Sequence, residues 1–294
     1  MARLNIKTRI ASFLIILTIY IVAFFIALFI FYLSKNLNIL ISSLLADIAA
    51  TLVVWGFGVL FRNSSVYDPY WSVAPVVIII CWITIKIITF SVTDILLLAV
   101  IIIWAFRLTL NWAIRWKDLN HQDWRYIMLK ERSPKIWFFT NLIGINLMPT
   151  IIVFISLVPA YFGIGSEGVI NVLTIIGFVI CLGAVLIEFI ADRQMDLFKK
   201  SNPSKNQNIE RGLWNYSRHP NYFGEVSFWW GIWLMQIGVM QGIWITITGP
   251  VVMTLLFVFI SIPMMEKHIL ESKPYYRNYQ KQVSMLIPWI RKKS

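Results

Sequence analysis

The chain has 294 residues, of which 59% are hydrophobic and 14% charged, against about a quarter charged in an ordinary soluble domain. So little charge cannot clothe a soluble core of this size, which excludes a soluble enzyme, a disordered protein and a nucleic-acid-binding domain in spite of the net charge of +12. The apolar runs are continuous over about 20 residues rather than alternating over about ten, which excludes an outer-membrane barrel.

The expected fold class is all-α and polytopic. Runs long enough to cross a ~30 Å hydrocarbon layer lie near residues 10–33, 39–61, 73–90, 94–113, 136–160, 168–191, 222–240 and 242–262, about eight spans. The first follows Arg3, Lys7 and Arg9 but exceeds the ~7–15 apolar residues of a signal peptide, so it reads as a retained anchor. With the N-terminus in the cytoplasm, segments 1–9, 62–72, 107–135, 192–221 and 263–294 hold 24 of the 26 Lys and Arg residues. Lys35 and Lys86 are the exceptions, and the asymmetry places both termini on the cytoplasmic side. Residues 1–61 read as an N-terminal transmembrane hairpin and 62–294 as the main membrane domain. The turn at Gln241 and Gly242 should make the last two spans a tight hairpin.

Charges inside apolar runs are costly unless paired or functional. Asp47 and Lys86, on antiparallel spans two and three, are expected to form a buried ion pair. Glu188 and Asp192 are four apart and share a face at the end of span six. Cys81 and Cys181 lie inside apolar runs without a CxxC spacing, so neither a disulfide framework nor zinc is indicated. His121 and Asp123 read as a rim pair, and no metal is expected. Gly163 to Gly168 satisfies G-x-G-x-x-G but follows a membrane helix and reads as a turn. Phe228, Trp229, Trp230 and Trp233 read as an interfacial belt. Arg291, Lys292 and Lys293 read as a lipid-headgroup anchor.

The most informative stretch is Gly212 to Glu225, where a polar loop turns into span seven. Pro220 suits a first helical turn because its missing N–H costs nothing there. The helix start then offers unpaired amides and a positive dipole end beside Arg218 and His219, an arrangement suited to phosphate or carboxylate. Asn221 and Glu225 share a face at i and i+4, with Tyr222 nearby. A basic membrane-edge cap with Glu225 paired locally accounts for the same residues.

Arg218-His219-Pro220-Asn221-Tyr222-Phe223-Gly224-Glu225, the preceding Asp192 to Lys199, the tail Glu266 to Pro288, Asp68-Pro69-Tyr70-Trp71-Ser72 and Asp123-Trp124-Arg125-Tyr126 together resemble the steroid 5α-reductase-like membrane proteins, in particular their uncharacterised bacterial branch. The resemblance spans about residues 60–290. A similar Arg-His-Pro-x-Tyr turn occurs in isoprenylcysteine carboxyl methyltransferases, which bind S-adenosylmethionine there. What the resemblance implies is a cofactor half at 188–290 and a membrane-embedded enzyme that uses NADPH to reduce an activated C=C bond in a lipid-like, steroid- or isoprenoid-like substrate. Carried over, Arg218 and His219 meet the phosphates, and Asn221, Tyr222 and Glu225 the cofactor's polar interior. Asp192 and Gln194 line its mouth, and Tyr276 and Tyr279 belong to a closing tail. The family's early Glu and Tyr, which polarise the substrate ketone, have no clear counterparts, Asp68 and Tyr126 being the nearest candidates for the catalytic pair.

Two other readings stand beside this one. The first is an S-adenosylmethionine-dependent methyltransferase of a lipid-linked carboxylate, with Arg218 holding the cofactor's carboxylate. The second is a non-enzymatic transporter or assembly protein with Glu225 and Glu188 in a polar pathway. The expected partners are the bilayer, the cytoplasmic (inner) membrane if the source is bacterial, and a lipid-like small molecule, with no nucleic acid. Oligomeric state is not encoded in any of these signals.

Overall fold

A computed structural model describes residues 8–86, 90–166, 170–204, 207–240 and 242–292. Arg3, Lys7, Gly168, Gln241 and Lys293, which figure in the expectations above, lie outside the described residues. The described chain is helical: α1 (Arg9–Leu33), α2 (Ile39–Phe61), α3 (Tyr70–Lys86), α4 (Val92–Arg115), α5 (Trp124–Arg132), α6 (Trp137–Phe139), α7 (Met148–Gly163), α8 (Val172–Lys200), α9 (Pro220–Val239), α10 (Thr248–Leu256), α11 (Ile262–Ser272) and α12 (Tyr276–Gln282). Two wider π-helical segments, Thr140–Leu147 and Phe257–Ser261, join α6 to α7 and α10 to α11. Polar residues start these helices by accepting first-turn amides: Thr8 from Ala11, Asn38 from Leu40, Asp123 from Arg125 and Asn171 from Thr174.

Seven stretches among the described residues are long and apolar enough to cross a membrane, namely Arg9–Leu33, Ile39–Phe61, Ser64–Lys86, Val92–Arg115, Pro134–Gly163, Val172–Lys200 and Trp244–Ser272. The chain is a multi-pass integral membrane protein. The expected span at 222–240 corresponds to α9, which is not among the seven. Of its 20 residues, 14 are buried within the protein, so α9 meets protein rather than lipid around most of its circumference.

The chain divides into two compact units, Met1–Ile87 with Ile101–Tyr161, and Ile88–Val100 with Phe162–Ser294. In the first, α1 packs on α2, and Arg9 donates to the carbonyls of Ala113 and Ile114, satisfying the last turn of α4. Beyond α2 the chain folds back inward. Arg62 takes a left-handed conformation (φ 53°), and Asn63 opens a buried 3-10 turn, Ser64–Val66. This inward return corrects one expectation. Asp47 does not pair with Lys86: its carboxylate accepts from the Tyr70 hydroxyl at 2.8 Å, while Lys86 donates to the Tyr161 carbonyl and lies over that ring. Because the buried turn Ser64–Val66 packs against α2, the first residue of α3, not its last, meets Asp47.

In the second unit α8 and α9 pack along most of their length. Gly224, Gly231 and Gly238 recur every seven residues on α9 and face α8. An added Cβ at Gly177 of α8 would stand 2.4 Å from the Met235 amide nitrogen, and one at Gly231 would stand 2.9 Å from the Gly177 carbonyl oxygen. The backbones therefore meet directly, as small-residue stripes allow. The aromatic group on α9 is corrected by the same packing. Phe228, Trp229 and Trp233 are buried, and only Trp230 is partly open, donating to Thr254 at 3.1 Å. The described part of the glycine motif, Gly163 to Ser166, is a turn with Gly165 at φ 71° and Ser166 N–H donating to the Gly163 carbonyl.

Candidate functional site

The first unit brings Asp68 and Tyr126 together. Asn63 fixes the loop that carries Asp68 by donating its amide to the carbonyls of Leu119 (2.7 Å) and His121 (3.2 Å) and accepting from Ser65 N–H at 2.9 Å. Ser65 Oγ accepts from Asp123 N–H at 2.9 Å, which sets the start of α5. Asp123 caps that helix and holds the Arg125 guanidinium at 2.8 Å. One turn of α5 then aims the buried Tyr126 hydroxyl at the Asp68 carboxylate, to which it donates. Arg125 Nη2 stands 4.0 Å from the same carboxylate.

The electrostatics follow from this geometry. Burial pushes the Tyr126 phenol well above its ordinary range, and the adjacent Asp68 charge adds to the shift. Burial alone would raise Asp123 too, but the Arg125 guanidinium overcomes it and holds that carboxyl below the usual carboxylate range. Deeper in the unit, Tyr67 shares a hydrogen bond with Thr150 (2.8 Å), and Thr150 shares one with Thr51 (3.0 Å). A sequence separation of 58 hides the Asp68–Tyr126 contact from any local pattern, and no spacing signals Asp47–Tyr70, a second buried acid–tyrosine pair.

In the second unit the site is centred on Glu266, a residue not singled out by sequence. Its Oε1 receives Arg218 Nε at 2.6 Å, His219 Nε2 at 3.1 Å and the Tyr276 hydroxyl at 3.3 Å. Its Oε2 receives Gln280 Nε2 at 2.8 Å and Arg218 Nη2 at 3.4 Å. Arg218 Nη1 also donates to the carbonyls of Gln280 (2.9 Å) and Val283 (2.7 Å). Four side chains thus converge on one carboxylate, a donor set whose chemistry fits an anion. The signal that could have found Glu266 is its place at the end of an otherwise apolar run.

The remaining nominated residues surround this cluster. Gln194 Oε1 accepts from Leu213 N–H at 3.0 Å, and its amide packs against Gly212 so closely that a Cβ there would lie 2.3 Å from Nε2. At φ 61° that position also favours glycine. Tyr222 stacks on His219 with centroids 5.4 Å apart and planes within 8°, and meets Phe257 at 4.9 Å. Asn221 is half-buried in the first turn of α9. Glu225, one turn on, is buried and accepts from Trp229 Nε1 at 2.8 Å. Asp192 lies half-buried on α8, two residues before Gln194. Tyr279 donates to the Trp214 carbonyl rather than to Glu266. Burial lowers the His219 pKa below the ordinary imidazole value, against the opposing pull of Glu266. Burial raises Tyr276 and Tyr279 well above the usual phenol range, with the charge of Glu266 acting next on Tyr276 and that of Glu210 on Tyr279. No group of three or more His, Cys, Asp or Glu suited to a metal occurs among the described residues.

The sequence model of the family described as "Protein of unknown function (DUF1295)" matches residues 54–283. The chain belongs to the DUF1295 family. Both clusters fall inside the matched range, whereas α1 and the last residues of the tail fall outside it. An uncharacterized protein of Schizosaccharomyces pombe is 22% identical over 299 aligned positions, covering 86% of this chain and 80% of the yeast protein. No solved structure matches at comparable significance.

Proposed function

We propose that this DUF1295 protein is a membrane-embedded, NADPH-dependent reductase of an activated C=C bond in a lipid-like, steroid- or isoprenoid-like substrate. The observation that carries the reading is the buried contact between Tyr126 and Asp68, a proton donor and its partner positioned by the Asp123–Arg125 start of α5. Membership of a family that includes steroid 5α-reductase-like proteins is consistent with it. Both termini are taken as cytoplasmic, where the nucleotide is found, and the membrane as the inner one if the source is bacterial.

NADPH, when bound, supplies the hydride. Arg218 and His219 would hold its phosphates once the Glu266 carboxylate that takes their N–H groups moves aside, Asn221, Tyr222 and Glu225 its polar interior, and Asp192 and Gln194 its mouth, with Tyr276 and Tyr279 keeping the tail in place. Tyr126 donates a hydrogen bond to the conjugated carbonyl of the substrate. As negative charge develops on that oxygen, the phenol O–H bond breaks and its proton passes to the oxygen, an interaction stronger in the transition state than in the ground state. For this the Tyr126 hydroxyl turns from Asp68, which accepts from it in the structure, to the substrate oxygen, and Asp68 takes up a proton from solvent and returns it to the phenol oxygen.

One observation favours the methyltransferase alternative: the Arg218 cluster holds a carboxylate, that of Glu266, and S-adenosylmethionine presents one. Titration of purified protein with NADPH, NADH and S-adenosylmethionine at two salt concentrations separates the readings. Salt-sensitive binding of NADPH is expected, because a multiply charged phosphate ligand is screened more than a zwitterionic one. Binding of S-adenosylmethionine alone would replace the reductase by the methyltransferase, and binding of none would leave a transporter or assembly role.

A further inference from the structure

The last described residues present an apolar surface that the reductase reading does not use. Ile287, Trp289 and Ile290 are 64%, 70% and 78% exposed. With Tyr216 and Pro288, the latter two line a cleft of ≈ 220 Å³. This segment is not a frayed end. Arg218 N–H donates to the Ser284 carbonyl at 2.9 Å, Ser217 Oγ to Leu286 at 2.7 Å, Trp289 N–H to Tyr216 at 2.9 Å and Lys292 N–H to Gln282 at 2.9 Å. Arg291 adds a contact of 2.6 Å to Glu210. A backbone pinned at so many points cannot turn three large apolar side chains inward, so they stay outward, where water would make them costly.

The chemistry beside them identifies what covers them. Trp289 and Tyr216 are the two aromatic types that settle at the headgroup level of a bilayer. Lys292 is exposed next to them, and Arg277 and Lys281 are exposed on α12, a basic composition that suits anionic headgroups. We propose that residues 287–292 form an interfacial anchor, with Ile287, Trp289 and Ile290 seated in the headgroup region of a leaflet that carries anionic phospholipid and Lys292 paired with its headgroups. Since Gln280 and Val283, which accept from Arg218, belong to the same tail, the anchor holds the strap that closes the Glu266 cluster.

The test needs no substrate or cofactor, so its outcome is independent of the reductase reading. Ile290→Cys, in a background with Cys81→Ser and Cys181→Ala, is labelled with a fluorophore and reconstituted in nanodiscs of zwitterionic lipid, with or without anionic phospholipid. Lipids spin-labelled near the headgroup should quench it, aqueous iodide should not, and Lys292→Gln should weaken partition into the anionic discs roughly fivefold. A label on Ser201→Cys, an exposed helix end, serves as the water-exposed control. Free quenching of position 290 by iodide, equal lipid quenching in both kinds of disc, or shielding from both quenchers by another protein surface would each overturn the anchor.

Discussion

The hydroxyl of Tyr70 donates to the carboxylate of Asp47 at 2.8 Å, joining the start of α3 to the middle of α2 inside the membrane-spanning bundle. Tyr70→Phe strands a buried acceptor and should cost about 1–3 kcal/mol. Thermal unfolding in detergent should show strong coupling between Tyr70→Phe and Asp47→Asn, and simple additivity between Asp47→Asn and Lys86→Met. Coupling of the second pair would restore the ion pair that the structure replaces.

Gly177 and Gly183 lie on the same helix, α8, in opposite circumstances. Gly177→Ala forces a methyl group against the Met235 backbone and should cost about 1–3 kcal/mol through overpacking. Gly183→Ala meets nothing within 4 Å and should be neutral or stabilise by up to about 1 kcal/mol through helix propensity. Equal effects of the two substitutions on the unfolding midpoint would mean that α8 and α9 do not meet along Gly177.

The buried His219 predicts a direction of pH dependence. Its folded pKa lies below the ordinary value because of burial, and the groups facing it are Glu266 and Arg218. The unfolded chain takes up a proton near pH 6.5 while the folded chain still resists one. The contribution to stability is therefore complete above about pH 6.5 and is lost as pH falls through the folded pKa. Melting temperature followed from neutral to acid pH should fall less steeply in His219→Gln than in wild type. A steeper fall in the variant would reverse the sign and make Glu266 the dominant influence on the imidazole.

The helices were legible because an apolar run of span length leaves few alternatives in lipid. Residues 10–33 and 39–61 map onto α1 and α2 within a residue. The surroundings of those helices were less legible. α9 looks like a span by length, and only its glycines at 224, 231 and 238 signal that another backbone lies against it. The polar turn of Gly212 to Glu225 draws attention to Arg218 and His219, yet their partner Glu266 is 47 residues or more downstream, beyond the reach of periodicity. The pairing of Asp47 fails for a geometric reason: the sequence offers no sign that Ser64 to Val66 form a buried turn against α2, which brings Tyr70 rather than Lys86 to Asp47.

That inward return has a consequence for the order of assembly. Asn63 donates to carbonyls at Leu119 and His121, Ser64 to Asn141 and Tyr67 meets Thr150. None of these partners exists when α2 and α3 leave the ribosome. Until between 56 and 83 further residues have been made, the turn holds polar groups that other partners must satisfy. In synthesis from the N-terminus the turn can therefore reach its observed set of hydrogen bonds only once Thr150 of α7 has been made.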